Sequence, residues 1–360
     1  MFDVFDNLKK HISTSGATRA SVYSLLLFTS KICMFITLLA CVLVTAKTYI
    51  GDNINCITGF EKQEHKAIET YCFIASTFTM VDLNPGVSPH PGVGPIIRPL
   101  PHGGSEEGER IVHAYYQWVP MVLSLQAVIY YFPIWLWHTF DRGFFEAIIC
   151  HLDKVHITDD VSRNIVSSVK FFGSSLSTHR GYAVRFLLCE CLAFVISIGN
   201  LFFTNTFLGG EFFKFGPSAL KYLGTNSTDP NNPLNEIFPK VAKCTWHKFG
   251  ASGTIQTFDS MCVLPLNIVN EKTYIFLWVV YIFTAIICGV LLLLHLILFF
   301  FPAVRNAYLV YLVRKQETKL HLQHILPKCN YGDWFLLFHF RRNMVYFREW
   351  IAQAREEIQK

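Results

Sequence analysis

Between Val119 and Trp137 the chain carries no charged residue. At about 1.5 Å per helical residue a run of that length crosses a hydrocarbon core of about 30 Å, so it reads as a transmembrane helix. Tyr115-Tyr116-Gln117-Trp118-Val119-Pro120 opens it. Aromatic rings at that position suit the membrane–water interface, and Pro120 falls in the first turn, where a missing N–H is tolerated. Pro133 lies deeper and is expected to kink the helix.

The rest of the chain is organised the same way. Hydrophobic residues make up 52% of it and charged residues 16%, against about 25% charged in an average soluble domain. The apolar residues come in uncharged blocks rather than amphipathic stripes. A net charge of +5, divided among loops, lacks the concentrated basic face that nucleic-acid binding needs. The expected architecture is an all-α membrane protein, a four-transmembrane-helix bundle with a small disulfide-linked extracellular domain and a helical cytoplasmic domain.

Read in order, residues 1–31 form an N-terminal segment with no cleavage site of a removable signal peptide. Spans are expected at 32–50, 119–137, 186–208 and 274–301, with outside loops at 51–118 and 209–273, an inside loop at 138–185 and a tail at 302–360. Starting the first span at Ile32 puts Lys31 and Lys47 near opposite faces of the membrane, where both can snorkel, and leaves Val22–Ser30 as a separate apolar segment. The dense Pro and Gly from Asn84 to Pro101 exclude helix and central strand. Glu190, inside the third span, is expected to pair with Arg185.

Four spans place both termini on one side. Lys31, Arg142, Arg180, Arg185, Arg305, Arg314 and Lys315 gather at the ends facing that side, which the positive-inside rule makes cytoplasmic. Cys56 and Cys72 fall in one outside loop and Cys244 and Cys262 in the other, where oxidising conditions let disulfides persist. Asn226-Ser227-Thr228 is a glycosylation sequon in the second of these loops. Four cysteines permit three connectivities, and their spacing does not choose among them.

These residues carry a resemblance. The Tyr115–Pro120 sequence is the signature of the innexins, the invertebrate gap-junction proteins, and two cysteines in each outside loop are also their pattern. Lys243-Cys244-Thr245-Trp246-His247-Lys248-Phe249-Gly250, leading to Cys262-Val263-Leu264-Pro265, resembles the second extracellular loop of insect innexins. Cys329-Asn330-Tyr331-Gly332-Asp333-Trp334-Phe335-Leu336-Leu337 resembles their cytoplasmic tail. The Pro/Gly-rich stretch after Cys72 and the Arg341-Arg342 pair fall outside the pattern, and the short tail also fits an innexin carried by an insect virus.

The resemblance implies a plasma-membrane channel subunit that assembles with other innexin subunits, an octamer being favoured over a hexamer, and docks with a hemichannel in the apposed membrane. It implies the pairing Cys56–Cys262 and Cys72–Cys244. It also implies an N-terminal segment folded into the pore mouth as a funnel, where Asp3 and Asp6 concentrate cations while Phe2 and Phe5 pack against the first span. Conduction needs no nucleophile and no cofactor, and no catalytic or metal constellation stands out. His321 and His324 could share a helix face, but with no further ligand they read as part of a solvated tail. Cys189 and Cys191 read as small packing residues, and His295 as an interhelical contact.

The alternatives are a role as an unpaired hemichannel and a four-span adhesion or scaffold protein. Tetraspanins carry a Cys-Cys dipeptide, which is absent here. Connexins place three cysteines in each outside loop, and pannexins lack the Tyr115–Pro120 signature. A glycan on Asn226 at the docking face would favour unpaired hemichannels; on the outer flank, the preferred placement, it would be tolerated.

Overall fold

A computed structural model describes residues 22, 24–80, 92–93, 97–99, 105–107, 109–149, 152, 159–222 and 234–359. The helices are α1 (Leu25–Ile50), α2 (Lys62–Ala75), α3 (Val119–Asp141), α4 (Phe144–Ile149), α5 (Asp159–Ser174), α6 (Arg180–Phe207), α7 (Phe212–Tyr222), α8 (Leu234–Ile237), α9 (Pro265–Phe300), α10 (Pro302–Leu312), α11 (Gln316–Ile325), α12 (Tyr331–Asn343) and α13 (Phe347–Gln359). The strands are β1 (Asn55–Ile57), β2 (Thr77–Met80), β3 (Ile97–Pro99), β4 (Ser105–Glu107), β5 (Arg110–His113), β6 (Val241–Phe249) and β7 (Ile255–Val263). Four of the helices, α1, α3, α6 and α9, are long and apolar enough to cross a membrane, and the fold is a four-span helical bundle.

The helices depart from the sequence reading at their ends. Ser24 accepts the amides of Leu26 (3.1 Å) and Leu27 (3.4 Å) and so caps α1, which makes Leu25–Ser30 its first turns rather than a separate apolar segment. Nothing between Ser24 and Lys31 breaks a helix, and the Lys31 side chain is exposed. Helix α3 runs through Pro133 without interruption. Helix α9 starts at Pro265, and its 36 residues make it about 54 Å long, so part of it must lie beyond a hydrocarbon core of about 30 Å.

The chain divides into two compact units. The disulfide unit comprises Ile32–Tyr130 and Ile196–Ala285. It holds a five-stranded antiparallel sheet, ordered β1-β7-β6-β2-β5, which the sequence reading did not anticipate. Its backbone is the β6–β7 hairpin, paired from Val241↔Val263 to Phe249↔Ile255, with Gly253 at φ 75° supplying the left-handed turn residue. β3, inside the Pro/Gly-rich stretch from Asn84 to Pro101, and β4, just beyond it, pair as a separate two-stranded ladder.

Polar side chains join the helices of this unit. Gln126 of α3 donates to Thr204 of α6 at 2.7 Å and accepts from the Tyr281 hydroxyl of α9 at 3.3 Å, which in turn lies 3.2 Å from Thr37 of α1. Apolar side chains pack equally well against lipid tails, so such bonds and close packing are what select one helix arrangement.

The helical unit comprises the described residues up to Lys31 with Tyr131–Val195 and Ile286–Lys360. Here amphipathic periodicity governs. Val161, Ile165, Val169 and Phe172 of α5 are buried, as are Phe347, Trp350, Ile351 and Ala354 of α13. Trp350, fully buried, meets the rings of Phe172 and Phe340, each at 5.3 Å, and its indole N–H donates to Ser168. Gly332 permits a close approach of backbones, since a Cβ there would sit 2.2 Å from the carbonyl carbon of His179.

Candidate functional site

The disulfide unit is where the sequence concentrates its unusual residues. Strand pairing sets Cys56 of β1 opposite Cys262 of β7, and the two are bonded. Cys72, on the last turns of α2, is bonded to Cys244 of β6. This is the connectivity that the resemblance implied, and all four cysteines are buried. The bonds tie a strand and a helix from one loop to the hairpin of the other. The sulfurs of Cys56, Cys72 and Cys262 lie within 4.8 Å of one another, but with each spent in a disulfide they hold no metal.

Around the disulfides the hairpin carries an aromatic clasp. Trp246 stacks on Phe258 at 4.7 Å and donates to Ser260 at 2.9 Å, while Phe60 meets both rings edge-on. Beyond it the hairpin end exposes two large apolar side chains among polar ones: Phe249 is 74% and Ile255 65% accessible. Ile57 on the neighbouring edge is exposed as well.

The Tyr115–Pro120 signature works as a joint. Tyr115–Gln117 form a 3-10 turn ahead of α3. The Tyr115 hydroxyl donates to the carbonyl of Ile237 at 2.9 Å, the Tyr116 hydroxyl reaches the carbonyl of Phe73, and the Gln117 amide donates to that same carbonyl. Phe73 directly follows the bonded Cys72, so the signature anchors the disulfide-tied helix to the start of α3. Val119 is buried, Trp118 is exposed, and the Pro120 carbonyl accepts from the Cys41 thiol at 3.3 Å. Burial pushes the Tyr115 hydroxyl well above its usual range, keeping it a neutral donor. Burial also holds His113 down at about 4, with its Nε2 2.8 Å from the Thr79 hydroxyl.

In the helical unit, Glu190 does not pair with Arg185. It is buried and takes hydrogen bonds from the Ser24 hydroxyl and from Nδ1 of His295, the latter at 2.7 Å, while the Arg185 guanidinium lies over the Phe140 ring. His295 is thus an interhelical contact. The Cys329–Leu337 stretch is a helix start: Asn330 and Asp333 form a capping box. Asp333, fully buried, also accepts from the Ser177 amide and lies 2.9 Å from Nδ1 of His179. Sequence reasoning missed that pair, although Asn330-x-x-Asp333 was visible as a capping signal.

His321 lies 3.3 Å from Arg355 and His324 bonds the Leu320 carbonyl of its own helix, so neither faces the other as a ligand pair. Cys33, Cys41, Cys189, Cys191, Cys288 and Cys329 form no disulfide, with Cys189 buried and Cys191 half-buried. Phe2, Asp3, Phe5, Asp6, Cys150 and Asn226 lie outside the described residues.

A sequence model described as Innexin matches residues 26–357. Innexin inx2 of Drosophila melanogaster is 35% identical over 363 residues, covering 99% of this chain and 96% of that protein. Innexin inx2 of Schistocerca americana is 34% identical over 366 residues, covering 100% and 99%. Innexin inx3 of Drosophila melanogaster is 39% identical over 303 residues, covering 83% and 74%. With four apolar helices, two cross-loop disulfides and a family match over nearly its whole length, the chain belongs to the innexin family, whose members are membrane proteins that form gap-junction channels.

Proposed function

We propose that the disulfide unit is the extracellular docking platform of a hemichannel, most simply an octamer of innexin subunits, and that both termini are cytoplasmic. The observation that carries this is the hairpin: two buried disulfides hold a rigid sheet whose free end exposes Phe249 and Ile255. A rigid edge loses little conformational entropy when it meets a second copy, which is what apposed channels require. The basic residues counted by the positive-inside rule support the same orientation.

In this reading the spans follow 32–50, 119–137, 186–208 and 274–301, with the first extended toward Leu25 by the continuity of α1. Asp3 and Asp6 ring the cytoplasmic mouth of the pore, with Phe2 and Phe5 packed against the first span, and a glycan on Asn226 sits on the outer flank.

Phe249→Asp with Ile255→Asp tests the platform in paired cells. Dye transfer between cells is expected to fall to background while dye uptake into single cells persists. Coupling at the parental level would place docking elsewhere. Asp3→Asn with Asp6→Asn should weaken cation preference in single-channel recordings, and an unchanged preference would remove the funnel. Asn226→Gln is expected to change gel mobility but not coupling; a large gain in coupling would move the glycan to the docking face.

A further inference from the structure

The helical unit has two unlike flanks. At one, α10 carries Val304, Tyr308 and Tyr311 at the spacing of a single helix face, and Tyr311 is 82% accessible. At the other, α4 and α5 leave a hollow of about 410 Å³ between them. Phe144, Ile148 and Phe171 give it apolar wall, and Asn164 and Ser167 add an amide and a hydroxyl.

Helix packing keeps these flanks apart. α10 packs on α11, α11 on α13 and α13 on α5, so α10 and α5 stand at the two ends of one row. The central α12 shows the same separation. Trp334, Phe338 and Arg341, one stripe of it, meet α10, whereas Phe340 meets Phe145 of α4 and Phe172 of α5.

The flanks also share a level. α4 follows the end of α3, and α10 the end of α9, within three residues. In a four-span chain the second and fourth spans run in the same direction, so both elements leave the membrane on one side and at its boundary. Subunits of a closed ring meet head to tail, each offering one surface to a different surface of its neighbour. That contact needs two unlike patches at equal height. An accessible tyrosine and a part-apolar hollow supply them, because a tyrosine ring buries apolar area while its hydroxyl keeps a polar partner.

We propose that Tyr311 of each subunit inserts into the α4–α5 hollow of the next, its ring against Phe144, Ile148 and Phe171 and its hydroxyl beside Asn164 and Ser167. The occupant is a second copy of this chain. A lipid surface would account for the exposed Tyr311 but not for the hollow. The assignment rests on the ring of subunits proposed above and not on the docking platform.

The test uses the full chain in nanodiscs, assembled from a light copy carrying photoreactive p-benzoylphenylalanine in place of Tyr311 and an isotopically heavy copy with the parental sequence. Rings recovered by size exclusion are irradiated and the crosslinks mapped by peptide. Light-to-heavy crosslinks are expected from that position to the Phe144–Ile149 and Asp159–Ser174 segments. Ser167→Trp in the heavy copy, at an exposed position that folding tolerates, fills the hollow and should abolish them. Parent chain that elutes as single subunits would take away the ring itself. A ring whose crosslinks are confined to lipid, fall within one copy or survive Ser167→Trp would overturn this contact and leave the ring standing.

Discussion

Replacing Asp333 by alanine is the sharpest test of how the helical unit is held. The carboxylate is fully buried and accepts from the Ser177 amide at 3.0 Å, the Asn330 amide at 3.1 Å and, at 2.9 Å, from Nδ1 of His179. Removing one partner of a buried pair costs about 3–5 kcal/mol, because the groups left behind stay desolvated. At about 2–4 °C per kcal/mol for domains of this scale, the thermal midpoint should fall by about 6–20 °C. Heating detergent-solubilised channel for a fixed time and reading the surviving peak by size exclusion gives that midpoint, the fixed time being needed because such unfolding is irreversible. His179→Ala should cost less, since the carboxylate keeps both amides, and the double variant should cost less than the two singles added. A midpoint for Asp333→Ala within about 2 °C of the parent would refute the argument. So would strict additivity with His179→Ala.

Cys72→Ser leaves α2 joined to the hairpin by packing and the half-exposed Glu64–Lys248 ion pair, and should destabilise by about 2–4 kcal/mol, read as early melting and as heightened proteolysis of the disulfide unit. His113, held near 4 in the fold, takes up its proton first in the unfolded chain, so its stability contribution is complete above about pH 6.5 and is lost as pH falls toward 4. At pH 5 the loss is about 2 kcal/mol, and a melting series in which His113→Gln does not reduce that acid sensitivity would contradict it. Gly216→Ala places a Cβ 2.0 Å from the Trp278 ring, which overpacking makes about 1–3 kcal/mol destabilising; an unshifted melting midpoint would show that the indole moves aside.

Composition and charge alone fixed the class of this protein. Uncharged runs long enough for a bilayer have one stable outcome, a helix that satisfies its own backbone, so four spans were legible before any packing was known. The innexin motifs were legible as strings, but their work was not. Tyr115–Gln117 proved to be a joint because the turn carries their polar groups to the carbonyls of Phe73 and Ile237, contacts 43 to 122 residues apart in sequence.

The hairpin had a local signal, two nine-residue runs about a turn holding Gly250 and Gly253, which a strand-by-strand reading would have caught. Its register had none. Which cysteine meets which depends on β1 lying beside β7 with Cys56 opposite Cys262, a long-range pairing that spacing leaves open among three choices. Glu190 makes the same point within the helices. Arg185 is five residues away along α6, about 140° around the helix, and so cannot share its face. His295, from another helix 105 residues on, is the partner that tertiary packing brings to 2.7 Å. Period and hydropathy decide which segments are helices, because those are local properties of the chain; which side chains then face one another is decided only when the helices pack.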